Sequence, residues 1–286
     1  VRTAVTAVKK DAVFMAEISG PEIAWDIDDS KAEPLFDEMC EASYNYDSCG
    51  FLGGAKGTGC AYVMFNGAPG ITPFHPTTLS KVANNQATSK EFVEAIKGQR
   101  ILYDRLRVNF IENHDTTRVS DCFPNQHKAL FALIATMPGV PVVHAGQEIG
   151  STVHPDASGN TDVVVDWAKG DSSLEAFYDR VMKVRASNRA LSSGDIRDVW
   201  KSGDKSIAFL RSAGDNHVLV VLNFDSKPAK FTAGIPLGEF GLSLQQQYKL
   251  QDELTGKAVV RPGKALENFE VNLEPYGQQV LTIAAQ

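Results

Sequence analysis

No run in this sequence approaches the roughly 20 consecutive apolar residues that a membrane-spanning helix requires, so no membrane partner is expected. Blocks of basic residues are missing too. Lys and Arg number 28 against 35 Asp and Glu, they are scattered, and the net charge is −7. That distribution argues against a nucleic-acid partner and for a neutral one. Cysteine is sparse: Cys40, Cys49, Cys60 and Cys122 are the only four, too few for a disulfide scaffold, and none falls in a CxxC or Cys/His zinc spacing. Cys49 and Cys60 flank a glycine-rich loop, Gly50 to Gly59. A bridge across it suits a secreted protein and four free thiols suit a cytosolic one, so cellular location stays open. There is no internal repeat, no low-complexity segment and no signal-peptide pattern. Val1 to Lys10 reads as the tail of an amphipathic helix, and the expectation is that something upstream of Val1 has been removed.

What is present is a balance of 43% hydrophobic and 22% charged residues, enough for a substantial core and a globular fold. The 286 residues accommodate one large domain, or one of about 190 residues plus a smaller one. Ala12-Val13-Phe14-Met15-Ala16 is a continuous apolar run, as in a parallel strand buried on both faces, and it ends at Glu17. A helical patch at Pro34 to Met39 and a weaker strand, Cys40 to Tyr46, follow. Asp47 to Pro76 is rich in Gly, Pro and Asn and longer than a connector needs to be, which marks it as a binding loop. Thr88-Ser89-Lys90-Glu91 is a capping box opening a helix with Phe92, Ala95, Ile96 and Tyr103 on one face. The strand Arg107 to Ile111, the helix Gln126 to Met137 stopped by Pro138-Gly139, and the buried strand Val140 to Ala145 complete four βα-type strands of a parallel sheet.

A second capping box, Ser172-Ser173-Leu174-Glu175, starts a helix carrying Phe177, Val181, Val184 and Asn188. After it the pattern changes. Ser206 to Arg211, His217 to Phe224, Lys227 to Thr232, Gln246 to Leu250, Phe269 to Leu273 and Gln278 to Ile283 are short β-type runs between turn residues, the mark of an antiparallel sandwich. The boundary is expected near Ala190.

The chemistry concentrates at Phe110-Ile111-Glu112-Asn113-His114-Asp115, where an apolar strand breaks into Asn-His-Asp and then Thr116-Thr117-Arg118. A strand that delivers a histidine and a carboxylate at its C-terminal end is how a (β/α)8 barrel presents catalytic groups. Glu17 stands at the equivalent place two strands earlier. Acetal hydrolysis needs an acid to protonate the leaving oxygen and negative charge near the developing oxocarbenium ion, and two rim carboxylates on separate strands can supply both. Plainer readings compete: Glu17 as a solvated strand end, Asp115 as a helix cap or a partner of Arg118, His114 as a packed histidine. Arg118 either pairs with a site carboxylate and holds it ionised or forms a surface salt bridge. Trp25, Tyr44 and Tyr46 are candidates for stacking on a sugar, with ordinary packing the commoner role for each. His144 and Glu148 are candidates for the rim, His144 more naturally for packing.

These segments, in their order, resemble the α-amylase family of glycoside hydrolases. Phe14-Met15-Ala16-Glu17-Ile18 is similar to the family's general acid/base region and Phe110 to Asp115 to its transition-state-stabilising region. Tyr44-Asn45-Tyr46-Asp47 resembles the sixth-strand segment. Val140 to Gly150 resembles the eighth barrel strand with its Gly-x-Pro and Gly-x-Glu, Leu174 to Leu191 with Arg185 and Asn188 the last barrel helix, and Val218 to Phe224 a strand of the C-terminal domain. The resemblance implies an α/β fold, an incomplete TIM (β/α)8 barrel of strands five to eight at residues 1–189, followed by an all-β antiparallel sandwich at 190–286. It implies Glu17 and Asp115 as catalytic residues and His114, Asn113 and Arg118 as substrate-binding ones, with an α-glucan as partner. No cofactor or metal is expected in this chain, although a structural calcium is common in the family.

One departure matters as much. The family's nucleophile is an Asp in Gly-x-Arg-x-Asp at the end of the fourth strand; forcing Arg2-Thr3-Ala4 onto it leaves Ala at the nucleophile and too short a helix after it. The expectation is therefore half a catalytic barrel, inactive alone, from a retaining enzyme. Two rivals remain. One is a non-catalytic family member with vestigial carboxylates, the other a carbohydrate-binding protein using only the β-domain.

Overall fold

The computed structural model describes residues 2–16, 42–44, 78–98, 106–113, 118–153 and 164–286. Glu17, the 34–39 patch, the 47–76 loop, Tyr103 and residues 114–117 lie outside them. Helix α1 (Arg2–Val8) precedes β1 (Met15–Ala16), and β2 (Ala42–Tyr44), β3 (Leu106–Asn109) and β4 (Val140–Pro141) line up beside it. All neighbours are parallel, in the order β1-β2-β3-β4, with Met15 opposite Ala42, Ala42 opposite Leu106 and Val108 opposite Val140. Parallel order forces a long crossover between strands. Between β2 and β3 lie α2 (Thr78–Ala83) and α3 (Ser89–Gly98); between β3 and β4 lie α4 (Val119–Cys122) and α5 (His127–Thr136).

Two expectations are corrected here. The apolar run at 12–16 pairs only over Met15–Ala16. The run at 140–145 pairs only over Val140–Pro141, and it is not a buried strand: Val140 is 41% exposed and Pro141 to His144 are half-buried. β4 is the last strand of the described sheet, with no neighbour on one flank among the described residues, and Pro141 has no N–H to extend the ladder.

The capping box at α3 is formed as expected: Thr88 N–H donates to Glu91 Oε2 at 2.7 Å and Glu91 N–H to Thr88 Oγ1 at 3.2 Å. The cap of α6 (Ser172–Ser187) sits one residue earlier than its sequence suggested. Asp171 Oδ1 accepts from Ser173 and Leu174 N–H at 2.8 and 3.2 Å, because a carboxylate there takes two orphan donors and favours the positive end of the helix. After α6 come a short helix, α7 (Arg189–Ser193), and the antiparallel part.

Nine strands and one helix form that part: β5 (Asp195–Asp198), β6 (Trp200–Gly203), β7 (Ile207–Ala213), β8 (Asn216–Leu222), β9 (Ala229–Ala233), β10 (Gln247–Asp252), β11 (Ala258–Pro262), α8 (Gly263–Leu266), β12 (Phe269–Leu273) and β13 (Gln278–Ala285). They make a six-stranded sheet, β11-β10-β13-β8-β7-β5, over a three-stranded one, β12-β9-β6. Strands β5, β6 and β11 carry no hydrophobic alternation strong enough to read in advance. Along β7 and β8, Ile207, Phe209, Val218, Val220 and Leu222 join the core that holds α5 and α6, while Ala208, Leu210, Leu219 and Val221 face the smaller sheet. A sheet covered on both faces has no polar alternation, which is why the central strands are apolar throughout.

Helix α5 is buried on every side except at Lys128, and its C-terminal carbonyls meet two buried arginines. Arg185 Nη1 donates to Ala135 O at 2.8 Å and to Leu191 O at 2.9 Å. Arg211, 1% exposed, donates to Thr136 O and to Gly194 O. Cations at the negative end of a helix satisfy orphan carbonyls and the dipole together, so these arginines lock the helical layer to the antiparallel sheet.

Candidate active site

β3 delivers Phe110 and Ile111 into the core, 0% and 1% exposed, and the next residue, Glu112, is a fully buried carboxylate. Its two oxygens divide their work. Oε1 accepts from Arg118 Nη1 and Oε2 from the Val119 N–H, each at 2.6 Å. One carboxylate thus ties both ends of the segment that carries Asn113, His114 and Asp115. Arg118 spreads further: Nε donates to Val153 O at 2.8 Å, Nη2 to Ala145 O at 3.0 Å, and Nη1 lies 2.9 Å from His144 Nδ1. It bolts the end of β4 and the loop after it to the end of β3. A buried ion pair is tolerated only when its remaining polar atoms are met, and here each nitrogen of Arg118 and each oxygen of Glu112 has a partner.

The surface-salt-bridge reading of Arg118 is therefore corrected, since the side chain is 2% exposed. Its carboxylate partner among the described residues is Glu112, which sequence reasoning passed over. A signal was there: an acidic residue closing an apolar strand, six positions before an arginine. The first turn after β4 is shaped by Gly146 and Gly150, at φ +88° and +73°, around Gln147–Ile149. A Cβ on Gly146 would also lie 3.0 Å from Val165 Cγ1.

A second buried network braces the same loops. His127 Nε2 lies 2.7 Å from Tyr178 Oη, Gln147 Nε2 donates to that oxygen at 2.8 Å, and His127 Nδ1 is 3.3 Å from Ser120 Oγ. The three contacts are mutually consistent if Gln147 donates to Tyr178, Tyr178 to His127 Nε2, and Nδ1–H to Ser120. Tyr178 stacks on Phe131, centroids 3.5 Å apart. Burial pushes the His127 imidazole down from 6.5 to about 4, with Lys128 acting the same way and Glu112 and Asp171 opposing. In the unfolded chain the ring takes its proton near 6.5. Between those values only the unfolded state binds it, so stability is full above pH 6.5 and falls as pH drops towards 4, by about 3 kcal/mol in all. His217, lowered by burial as well, acts in the same sense. Urea unfolding at pH 7, 6 and 5 measures this; equal stabilities at pH 7 and 5 would refute it.

Of the residues singled out from sequence, Asn113 is 4% exposed at the end of β3. Glu17, His114, Asp115, Trp25 and Tyr46 lie outside the described residues, and Tyr44 ends β2. His144 and Glu148 flank the turn after β4, and Glu148 Oε2 is buried without a hydrogen-bond partner. Cys122 at the end of α4 is disulfide-bonded, which corrects the reading of four free thiols; its partner, with Cys40, Cys49 and Cys60, lies outside the described residues. Sequence distance could not show this, because the bridge depends on what the fold brings beside α4. Among the described residues no three His, Cys, Asp or Glu side chains gather.

Comparison with known proteins agrees with this architecture. Residues 73–189 match the family model described as alpha amylase, catalytic domain, and residues 198–284 the one described as alpha amylase, C-terminal all-beta domain. Alpha-amylase MalA of Haloarcula japonica is 31% identical over 144 residues, 47% of this chain and 20% of that protein. A cyclomaltodextrinase of a Bacillus species is 27% identical over 161 residues, 54% of this chain and 29% of that protein. The chain thus spans less than a third of these relatives. Among solved structures, the α-amylase of Geobacillus thermoleovorans in complex with acarbose superposes at TM-score 0.68 with 16% identity, covering 98% of this chain and 55% of that one, a likeness of fold. With both family models matched in order over most of its length, the chain belongs to the α-amylase family, of which it carries the later part of the catalytic domain and the all-β C-terminal domain.

Proposed function

We propose that this chain forms the acid/base side of a retaining α-glucan hydrolase, acting on starch or maltooligosaccharide-type substrates within a longer protein. Glu17 is the general acid/base, Asp115 stabilises the oxocarbenium-like transition state, and His114 and Asn113 hydrogen-bond sugar hydroxyls. Arg118 serves the substrate indirectly, as a positioning residue. The observation that carries this reading is the buried Glu112–Arg118 pair. One carboxylate fixes Arg118 and Val119 to the end of β3, and fixed flanks favour the pre-organisation that charge stabilisation of a transition state requires. The names of the relatives, alpha-amylase and cyclomaltodextrinase, support the substrate class.

The nucleophile segment Gly-x-Arg-x-Asp does not occur in these residues, and a retaining reaction needs a second carboxylate about 5 to 5.5 Å from the acid. The chain by itself is therefore expected to release no reducing sugar from soluble starch or maltooligosaccharides. Robust hydrolysis by the purified chain would show that one of its own carboxylates is the nucleophile. A purely sugar-binding β-domain is the second reading; among the aromatic side chains of residues 195–286 it would have to rest on the half-buried Trp200, Phe240, Phe269 and Tyr276, the others being buried.

A further inference from the structure

We propose that His144 is a hydrogen-bond donor to the bound glucan, its tautomer set from behind by Arg118; the inference rests on the α-glucan reading above. His144 follows β4 at the same end of the sheet at which Asn113 follows β3. Its side chain is 22% exposed, whereas Glu112 and Arg118 behind it are 0% and 2% exposed. A guanidinium only donates and stays protonated in proteins, so Nδ1, 2.9 Å from Arg118 Nη1, must offer its lone pair. The neutral ring then carries its proton on Nε2. Glu112 Oε1, 3.7 Å from Nδ1, is beyond hydrogen-bond reach and already accepts from Arg118.

The backbone of His144 is held as well, its N–H donating to Gln147 Oε1 at 3.3 Å. One end of the ring is thereby anchored. The other nitrogen, Nε2, has no partner among the described residues, yet it is not among the buried unpartnered atoms, so it meets solvent. A solvent-facing neutral N–H on a held ring suits the acceptor oxygen of a sugar hydroxyl, and it brings no charge to be desolvated when a neutral ligand covers it.

Long-range proton–nitrogen spectra of the imidazoles, with His144 assigned through His144→Phe, read the tautomer directly. The expected result is a lone pair on Nδ1 and a proton on Nε2 at neutral pH, with Nε2 shifting on addition of maltoheptaose while buried His217 stays still. His144→Phe should weaken maltoheptaose binding about tenfold, the worth of one hydrogen bond, and His144→Gln, which restores an N–H at similar reach, should recover most of it. A proton on Nδ1, or a His144 that does not move while the Asn113 amide shifts with sugar, overturns the inference and leaves the glucan reading standing. If no resonance of the chain responds to maltoheptaose, the glucan reading itself fails and the inference with it.

Discussion

Glu17→Gln, made in a longer protein that supplies the nucleophile, is expected to lower turnover of maltooligosaccharides by about 10²- to 10⁴-fold, the usual worth of general acid/base assistance. The amide keeps the shape of the carboxyl group but has no proton to give the leaving oxygen. Ground-state contacts to the glucan are largely unchanged, so the loss should fall on kcat and leave KM within a few-fold. The comparison is made with steady-state kinetics on a defined maltooligosaccharide. A variant retaining more than half the parental rate would remove Glu17 from the mechanism and return it to a solvated strand end.

The second large effect is on the scaffold. Arg118→Met should destabilise the chain by about 3–5 kcal/mol, because Glu112 would be left as an unpaired carboxylate in a dry site. Three further acceptors, Ala145 O, Val153 O and His144 Nδ1, would lose their donor at the same time. The double variant Glu112→Leu, Arg118→Met should recover part of the loss, since removing both partners leaves no stranded charge. Urea unfolding of the three proteins measures this. A loss below about 1 kcal/mol for the single variant would place Arg118 in the class of exposed ion pairs and undo its positioning role.

Much of the architecture was legible because it rests on local patterns. The Thr88/Glu91 box, the apolar face of α3 and the stop at Pro138-Gly139 each depend on residues within a turn of one another. The order of strands and helices from 12 to 150 reads as a parallel sheet for the same reason: long helical spacers permit no hairpin. The misplaced cap at Asp171 was a local error of one residue. At Val140 to Ala145 the reading failed differently. Apolar composition indicated a strand buried on both faces, but burial depends on what stands beside it, and among the described strands β4 has a neighbour on one side only.

The candidate site divides along the same line. Sequence alone marked the end of β3 as the place of chemistry, because a strand that breaks into Asn-His-Asp is a covalent, contiguous fact. Sequence alone also determined that the chain is mixed α/β followed by antiparallel strands, since periodicities of 3.6 and 2 are written residue by residue. Only the tertiary structure decided that Glu112, not a surface group, holds Arg118; that Arg185 and Arg211 converge on the end of α5; and that Tyr178, far along the chain, closes a network between His127 and Gln147. Each of these is a meeting of buried polar groups distant in sequence. Their partners are selected by desolvation, which forces every buried donor and acceptor to find one, and that selection exists only once the chain has packed.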